Sequence, residues 1–213
     1  MTVKLYQNEI SSATSRVRIA LALKGLTAEA LPVSILGEDA ESRQAGYRSV
    51  NPQGLVPALL TDGGVLITQS LAIVEYLDEV QPEPPLLPDT AEGRAQARSI
   101  ALAIAAEIHA LLPPRIGLHL KAAFQADADA IAAWSRHWVG EGMAAVETMI
   151  AGRRNGAFAV GDRPGIADIF LFPQAISARR MGFDLARWPI IAEIVTKLET
   201  IPAFQENAPA PRK

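Results

Sequence analysis

Ser11-Ser12-Ala13-Thr14-Ser15-Arg16-Val17-Arg18-Ile19-Ala20-Leu21 is the stretch from which the fold unrolls. A short strand, Val3 to Gln7, hands over there to a helix. Three serines and a threonine crowd the junction, and apolar residues at helical spacing follow: Val17, Ala20, Leu21 and Leu23. Hydroxyls are favoured at a helix start because they accept hydrogen bonds from orphan backbone N–H groups. A helix start also stabilises an anion through aimed N–H donors and the macrodipole. Two readings therefore stand side by side: a capped helix, and a site where a small bound thiol ionises more easily.

The first eighty residues alternate around that junction. Gly25 stops a helix over Ser12 to Lys24. Glu29 to Ile35 is expected as a second strand, and Asp39 to Val50 as a short helical piece. Val56 to Thr61 and Val65 to Ile67 are expected as strands joined by the hairpin signal Asp62-Gly63-Gly64. Ser70 should cap a helix over Leu71 to Val80. The order describes a compact α/β unit with a mixed sheet. Gln81 to Pro88 then holds four prolines in eight residues, which stiffens the chain and marks a boundary. After it the pattern is helical: Ala91 to Leu112, Ile116 to Phe124, Asp127 to Arg153, Ile166 to Met181 and Pro189 to Glu199. Pro113-Pro114 must break or kink the first of these. Gln205 to Lys213 is expected as a loosely held tail. The domains so drawn are 1–81, a linker over 82–88, and 89–213.

Bulk properties narrow the chemistry. The chain has 213 residues, 49% hydrophobic and 20% charged, with a formal net charge of −3. It can bury a substantial core, and it carries no basic field suited to nucleic acid. It has no cysteine, so any sulfur chemistry must arrive with a ligand. That composition fits the cytoplasm. The start of the chain lacks the apolar run of a signal peptide, and Ser99 to Leu112 is too short to span a bilayer, so no membrane role is expected. His109, His119 and His137 are far apart in sequence, so no metal site is expected.

Two further junctions carry ligand-binding potential. Asn51-Pro52-Gln53-Gly54-Leu55-Val56-Pro57 precedes the third strand. A cis Val56–Pro57 bond would let Val56 present its own N–H and C=O to a ligand; the plain alternative is a trans strand start. Gln69-Ser70 opens the third helix, where a carboxylate would meet a hydroxyl and backbone N–H groups together; the plain alternative is an N-cap serine. In one small α/β unit these junctions can converge at one end of the sheet.

Taken together, Ser11-Ser12 with Arg16-Val17-Arg18-Ile19-Ala20-Leu21, Asn51-Pro52 with Val56-Pro57, Gln69-Ser70-Leu71-Ala72-Ile73 with Glu75-Tyr76-Leu77, and Leu86-Leu87-Pro88 resemble the glutathione transferase family, zeta class. Gly161-Asp162 with Ala167-Asp168, Pro173-Gln174, Ala178 with Arg180, and Asp184-Leu185 extend the resemblance into the helical half. It implies a thioredoxin-like N-terminal domain plus an all-helical C-terminal domain, in a cytoplasmic homodimer. Glutathione is the implied cofactor, with its γ-glutamyl carboxylate at Gln69 and Ser70, and Gln53 is expected among the residues that bind it. Its cysteinyl backbone would lie at Val56, before a cis Pro57, and its sulfur at Ser11 or Ser12. His109 is expected beside the cofactor, and Arg115 and Arg180 at the substrate. Gly165 stands where the family usually has Ser or Thr as a helix cap, and Asp168 is expected to bond back to its N–H.

The implied activity is cis–trans isomerisation of maleylacetoacetate or maleylpyruvate in aromatic catabolism. General conjugation of small electrophiles is the alternative, and a non-catalytic module of the same fold a second. The chain departs from the class at Ile10, usually Arg; at Ala13, usually Cys or Thr; and at Pro113, an expected asparagine. Ser11, Ser12, Gln69 and Ser70 argue against the non-catalytic module. His109, Arg115 and Arg180 retain part of an anion-binding set suited to a dicarboxylate.

Overall fold

The computed structural model describes residues 3–37 and 39–211. Met1, Thr2, Glu38, Arg212 and Lys213, at the edges of the ranges drawn above or inside the first of them, lie outside the described residues. The chain divides into two units, one running to Leu86 and taking up the chain again from Ile201, the other Leu87–Thr200.

The first unit is built on a four-stranded sheet of order β2-β1-β3-β4. Its strands are β1 (Val3–Gln7), β2 (Ala28–Pro32), β3 (Ala58–Leu60) and β4 (Leu66–Thr68). β1 pairs parallel to β2, with Leu5 opposite Ala30, and antiparallel to β3, with Leu5 opposite Leu59. The β3–β4 hairpin closes the antiparallel edge. Side chains alternate across a strand, so β1 sends Val3 and Leu5 to one face and Tyr6 to the other. Val3 and Leu5 are buried. Tyr6 meets Tyr47 edge-on, ring centroids 5.8 Å apart, beside a small cluster of Val33, Tyr47 and Val56.

Two helices of this unit pack on each other, α1 (Ser12–Leu23) and α3 (Ser70–Val80). Val17, Ala20 and Leu21 of α1 and Ile73, Val74 and Leu77 of α3 are buried. Between β2 and β3 the expected single helix is a tight turn, Glu41–Arg43, followed by α2 (Ala45–Val50). Gln44 is extended between them (φ −76°, ψ 154°), and that interrupts the helix. β2 is also shorter than expected, because Val33 leaves the ladder after its N–H bonds the Gln7 carbonyl at 2.8 Å.

The proline-rich segment is clamped from below. The Lys24 ammonium is wholly buried at the end of α1. It donates to Asp78 Oδ1 at 2.5 Å and to the carbonyls of Pro82 and Pro84 at 3.3 and 2.5 Å. Asp78 also accepts the Leu86 N–H at 2.9 Å. The three donors of one ammonium thus fix a stretch whose prolines can donate nothing. The first unit accordingly extends to Leu86, past the 1–81 expected from sequence.

The second unit is helical: α4 (Ala91–Leu102), α5 (Pro114–Phe124), α6 (Ala128–Ala151), α7 (Ile166–Arg180) and α8 (Pro189–Leu198). α7 is its axis, buried from Ile166 through Ala175 and again at Ala178. α4 continues into a widened turn, Ala103–Ile108, and a tight one, His109–Leu111, before Pro113 and Pro114 force a new helix start. The widened turn seats Ile108 against α6 at Gly142, where a Cβ would stand 2.2 Å from Ile108 Cγ1. Ala91–Phe124 is long and apolar enough, by length and composition alone, to cross a bilayer. That corrects the shorter span drawn from Ser99 to Leu112. Its Ile100, Ile104 and Ile108 are buried inside the unit, while only 22% of the apolar window is buried.

Asp168 binds this unit together. It accepts the Ala159 N–H at 2.9 Å and the Gly165 N–H at 3.0 Å. Gly165 holds the cap position with no side chain, so Asp168 closes the helix start by itself. Burial pushes its carboxyl up to about 6, against the downward pull of those N–H donors.

The last segment corrects the 89–213 range, and the expected loose tail is held by bonds of Asn207 to Ser15 and of Ala210 to Glu9. α9 (Pro202–Gln205) packs on α1 within the first unit, with Phe204 fully buried. An aromatic ring near the end of a polar segment gives it apolar area to bury, and it does so on the sheet-bearing unit.

Candidate functional site

Ser11 is the cap of α1. Its backbone is extended (φ −75°, ψ 117°) and its Oγ accepts the Thr14 N–H at 3.2 Å. A hydroxyl that accepts there keeps its own proton to give. Ser12 follows as the first helical residue, and both serines are buried among neighbours to within a tenth of their surface. The loop entering the cap is built on Asn8. Its Nδ2 donates to the Val33 carbonyl at 2.8 Å, and its Oδ1 accepts the Ile10 N–H at 3.2 Å.

The second junction is held by residues to which sequence reasoning gave no role. Asn51, buried, donates from Nδ2 to the Leu55 carbonyl at 2.7 Å and accepts the Gln53 N–H at 3.1 Å. The Tyr47 hydroxyl donates to the same carbonyl at 2.8 Å. Gly54 turns the loop at φ +63°, and a Cβ there would stand 2.6 Å from the Ser42 carbonyl oxygen. This scaffold presents Val56 and Pro57, both buried, across a cis peptide bond. The Asn-Pro turn signal is where Asn51 could have been found.

The third junction differs from its expected form. Gln69, not Ser70, takes the cap position of α3, and its backbone is left-handed (φ 71°, ψ 121°). A non-glycine residue in that region is strained, and such strain persists where the surroundings over-determine it. The Gln69 side chain donates to Gln53 Oε1 at 2.8 Å, so two of the expected cofactor residues are in contact. Ser70 is the first helical residue, and its hydroxyl serves something other than a cap. Arg16, buried on α1, donates from Nη1 to Ser70 Oγ at 3.1 Å. Burial pushes the Arg16 guanidinium down to about 9. Because Ser70 Oγ accepts from a cation, its proton is left to be given elsewhere.

Side chains on a helix lean toward its N-terminus. Arg16 therefore reaches back over the first turn of α1 to the first residue of α3. Ser11, Ser12, Gln53, Val56, Pro57, Gln69 and Ser70 all belong to the first unit. The arrangement places hydroxyl and amide groups at both helix starts.

The helical unit carries the remaining expected residues. His109 opens the tight turn after the long helix and is half-buried; Arg115 is exposed in the first turn of α5; Arg180 is exposed as the last residue of α7. A cation at a helix C-terminus is stabilised by the dipole, and one at an N-terminus is not. Arg180 is thus placed where its charge also serves the helix, whereas the charge of Arg115 does not.

A sheet unit whose two helix starts carry hydroxyl and amide groups is followed in the chain by a helical unit. Family models for the N-terminal and C-terminal domains of glutathione S-transferase match residues 10–80 and 130–196. The chain belongs to the glutathione S-transferase family. A maleylacetoacetate isomerase of Pseudomonas aeruginosa is 42% identical over 208 residues, 98% of this chain and 96% of the relative. A holo structure of maleyl pyruvate isomerase, a bacterial glutathione S-transferase in Zeta class, is 39% identical with a TM-score of 0.91, over 100% of this chain and 98% of that one. A maleylacetoacetate isomerase of Methylobacterium extorquens with bound malonate and glutathione is 32% identical with a TM-score of 0.93, over 99% and 98%. The thioredoxin-like plus all-helical fold and the zeta class read from the sequence agree with these relatives.

Proposed function

We propose that this chain is a glutathione-dependent cis–trans isomerase of maleylacetoacetate or maleylpyruvate. The observation that carries the reading is the Arg16–Ser70 hydrogen bond. It ties the hydroxyl-rich start of α1 to the start of α3, giving one thiol-bearing tripeptide both of its polar ends. When bound, glutathione supplies the thiolate nucleophile that makes isomerisation about a conjugated double bond attainable.

The chain's own residues do the rest. Gln69 and Ser70 hold the γ-glutamyl carboxylate, with Arg16 behind Ser70 adding positive field. Val56 aligns the cysteinyl backbone through its N–H and C=O, and Gln53 steadies Gln69. Ser11 or Ser12 donates to the sulfur, and the start of α1 favours its ionised form. A free thiol has a pKa of roughly 8.5, and each unit of lowering corresponds to about 1.4 kcal/mol. To His109, Arg115 and Arg180 of the helical unit we assign recognition of the substrate's carboxylates and of charge that develops during reaction. A pair of chains in the cytoplasm, serving breakdown of aromatic compounds, completes the proposal.

Ile10, Ala13 and Pro113 favour a second reading, conjugation of neutral electrophiles, because each removes a polar group the class usually has. Steady-state assays with maleylacetone and with a neutral aryl halide separate the two. Isomerisation of maleylacetone that requires glutathione without consuming it is the expected result. Turnover of the aryl halide alone would overturn it in favour of conjugation.

A further inference from the structure

The segment after α9 does more than end the fold. Asn207 donates from Nδ2 to the Ala203 carbonyl at 2.9 Å, turning the chain back toward α1. Ser15 Oγ donates to the Asn207 carbonyl at 2.5 Å. Arg18 Nη2 donates to the Asn207 and Ala208 carbonyls at 3.4 Å each. Pro209 is buried, and the Ala210 N–H donates to the Glu9 carbonyl at 2.8 Å.

These anchors share one line. Residues three apart lie on one helix face, so Ser12, Ser15 and Arg18 mark a stripe of α1 that starts at the serine pair. Glu9 lies in the loop that enters the Ser11 cap. Asn8 fixes that loop from the sheet side, through Val33. Ala210 holds it from the other end of the sequence. The direction of the Ser11 and Ser12 hydroxyls therefore depends on two tethers, one local and one almost two hundred residues away.

We propose that residues 206–211 are a strap that positions the thiol-side loop, holding the Glu9 carbonyl and the Ser15–Arg18 face so that Ser11 and Ser12 stay aimed at the sulfur. The role rests on the assignment of glutathione's sulfur to those serines. None of the strap residues touches the cofactor in this scheme; they act through the loop.

The test removes one N–H. Ala210→Pro deletes the donor to Glu9 and puts a ring in its place, whereas Ala210→Ser keeps the donor. A chain ended after Ala208 removes the same contact while keeping Phe204 and Asn207. In Ala210→Pro and the shortened chain, kcat should fall roughly fivefold, the order of one hydrogen bond, with KM for glutathione unchanged. The bound thiol, followed by ultraviolet titration, should ionise at higher pH, and amide exchange at residues 10–14 should quicken. Ala210→Ser should match the unaltered chain in all four readings. Quickened exchange with unchanged kcat and thiol titration would overturn the proposal, since the strap would then only add stability. An equal loss in Ala210→Ser would also overturn it. If the unaltered chain binds glutathione without making its thiol more acidic, the serine assignment itself fails and takes the positioning role with it. Exchange at residues 10–14 would still record whether Ala210 holds the loop.

Discussion

Replacing Ser70 by alanine makes two separable losses. In the free protein Arg16 Nη1, buried, gives up the acceptor it has at 3.1 Å. A hydrogen bond to a charged group contributes about 1.5–3 kcal/mol, and about 2 kcal/mol lowers the melting temperature of a chain this size by roughly 4–8 °C. In the complex the γ-glutamyl carboxylate also loses the Ser70 hydroxyl donor. A loss of the same size there raises Kd between about tenfold and about a hundredfold. Glutathione at a hundred times the original Kd stabilises the unaltered chain by about 2.7 kcal/mol. With Kd raised tenfold the same concentration gives about 1.4 kcal/mol, and with Kd raised a hundredfold about 0.4 kcal/mol. Thermal unfolding with and without glutathione, joined to calorimetric titration, reads both losses on one preparation. A variant that melts lower but keeps the full ligand-induced shift and the original Kd would refute the placement of the carboxylate at Ser70. The Arg16 contact would then be structural alone.

Lys24→Met should cost about 3–5 kcal/mol by denaturant unfolding, because it leaves the Asp78 carboxylate and two proline carbonyls without their buried ammonium; a loss below about 1 kcal/mol would show that water replaces the clamp. The Asp168 carboxyl titrates near 6 in the fold against an ordinary 3.8, so the folded chain holds its proton more tightly. The stability this gives at low pH is lost as pH rises through that window, by about 3 kcal/mol. Asp168→Asn should flatten the stability-against-pH curve over that window, and parallel curves for the two proteins would exclude the effect. Arg180→Ala should lower kcat/KM on a cis dicarboxylate roughly tenfold, about 1.4 kcal/mol, while leaving turnover of a neutral aryl halide unchanged. Equal losses on both would make Arg180 a helix-stabilising residue only.

Local chemistry determined much of this protein without its tertiary structure. Hydroxyls before an apolar helical run define the start of α1, and glycine with φ +63° ends it at Gly25. Asp62-Gly63-Gly64 sets a hairpin, and dense proline marks the edge of a unit. These features depend on residues within a few positions of one another, which is why they are legible in order along the chain. The resemblance to zeta-class transferases added the ligand and the division of labour among the helix starts.

Other features depend on residues far apart in sequence, and only the folded chain decided them. Packing of α1 on α3 buries Arg16 and turns it to Ser70. Gln69 takes a left-handed backbone that its own side chain does not favour, because the hairpin and α3 meet there, and Ser70 is thereby released from capping. Lys24 meets the linker about sixty residues on. Gln205 to Lys213 reads as a polar tail, but Phe204 just before it finds a burial site on α1, and the strap that follows reaches Glu9. In each case the deciding contact carries a loop-closure cost that only a finished core repays, so no local pattern could announce it.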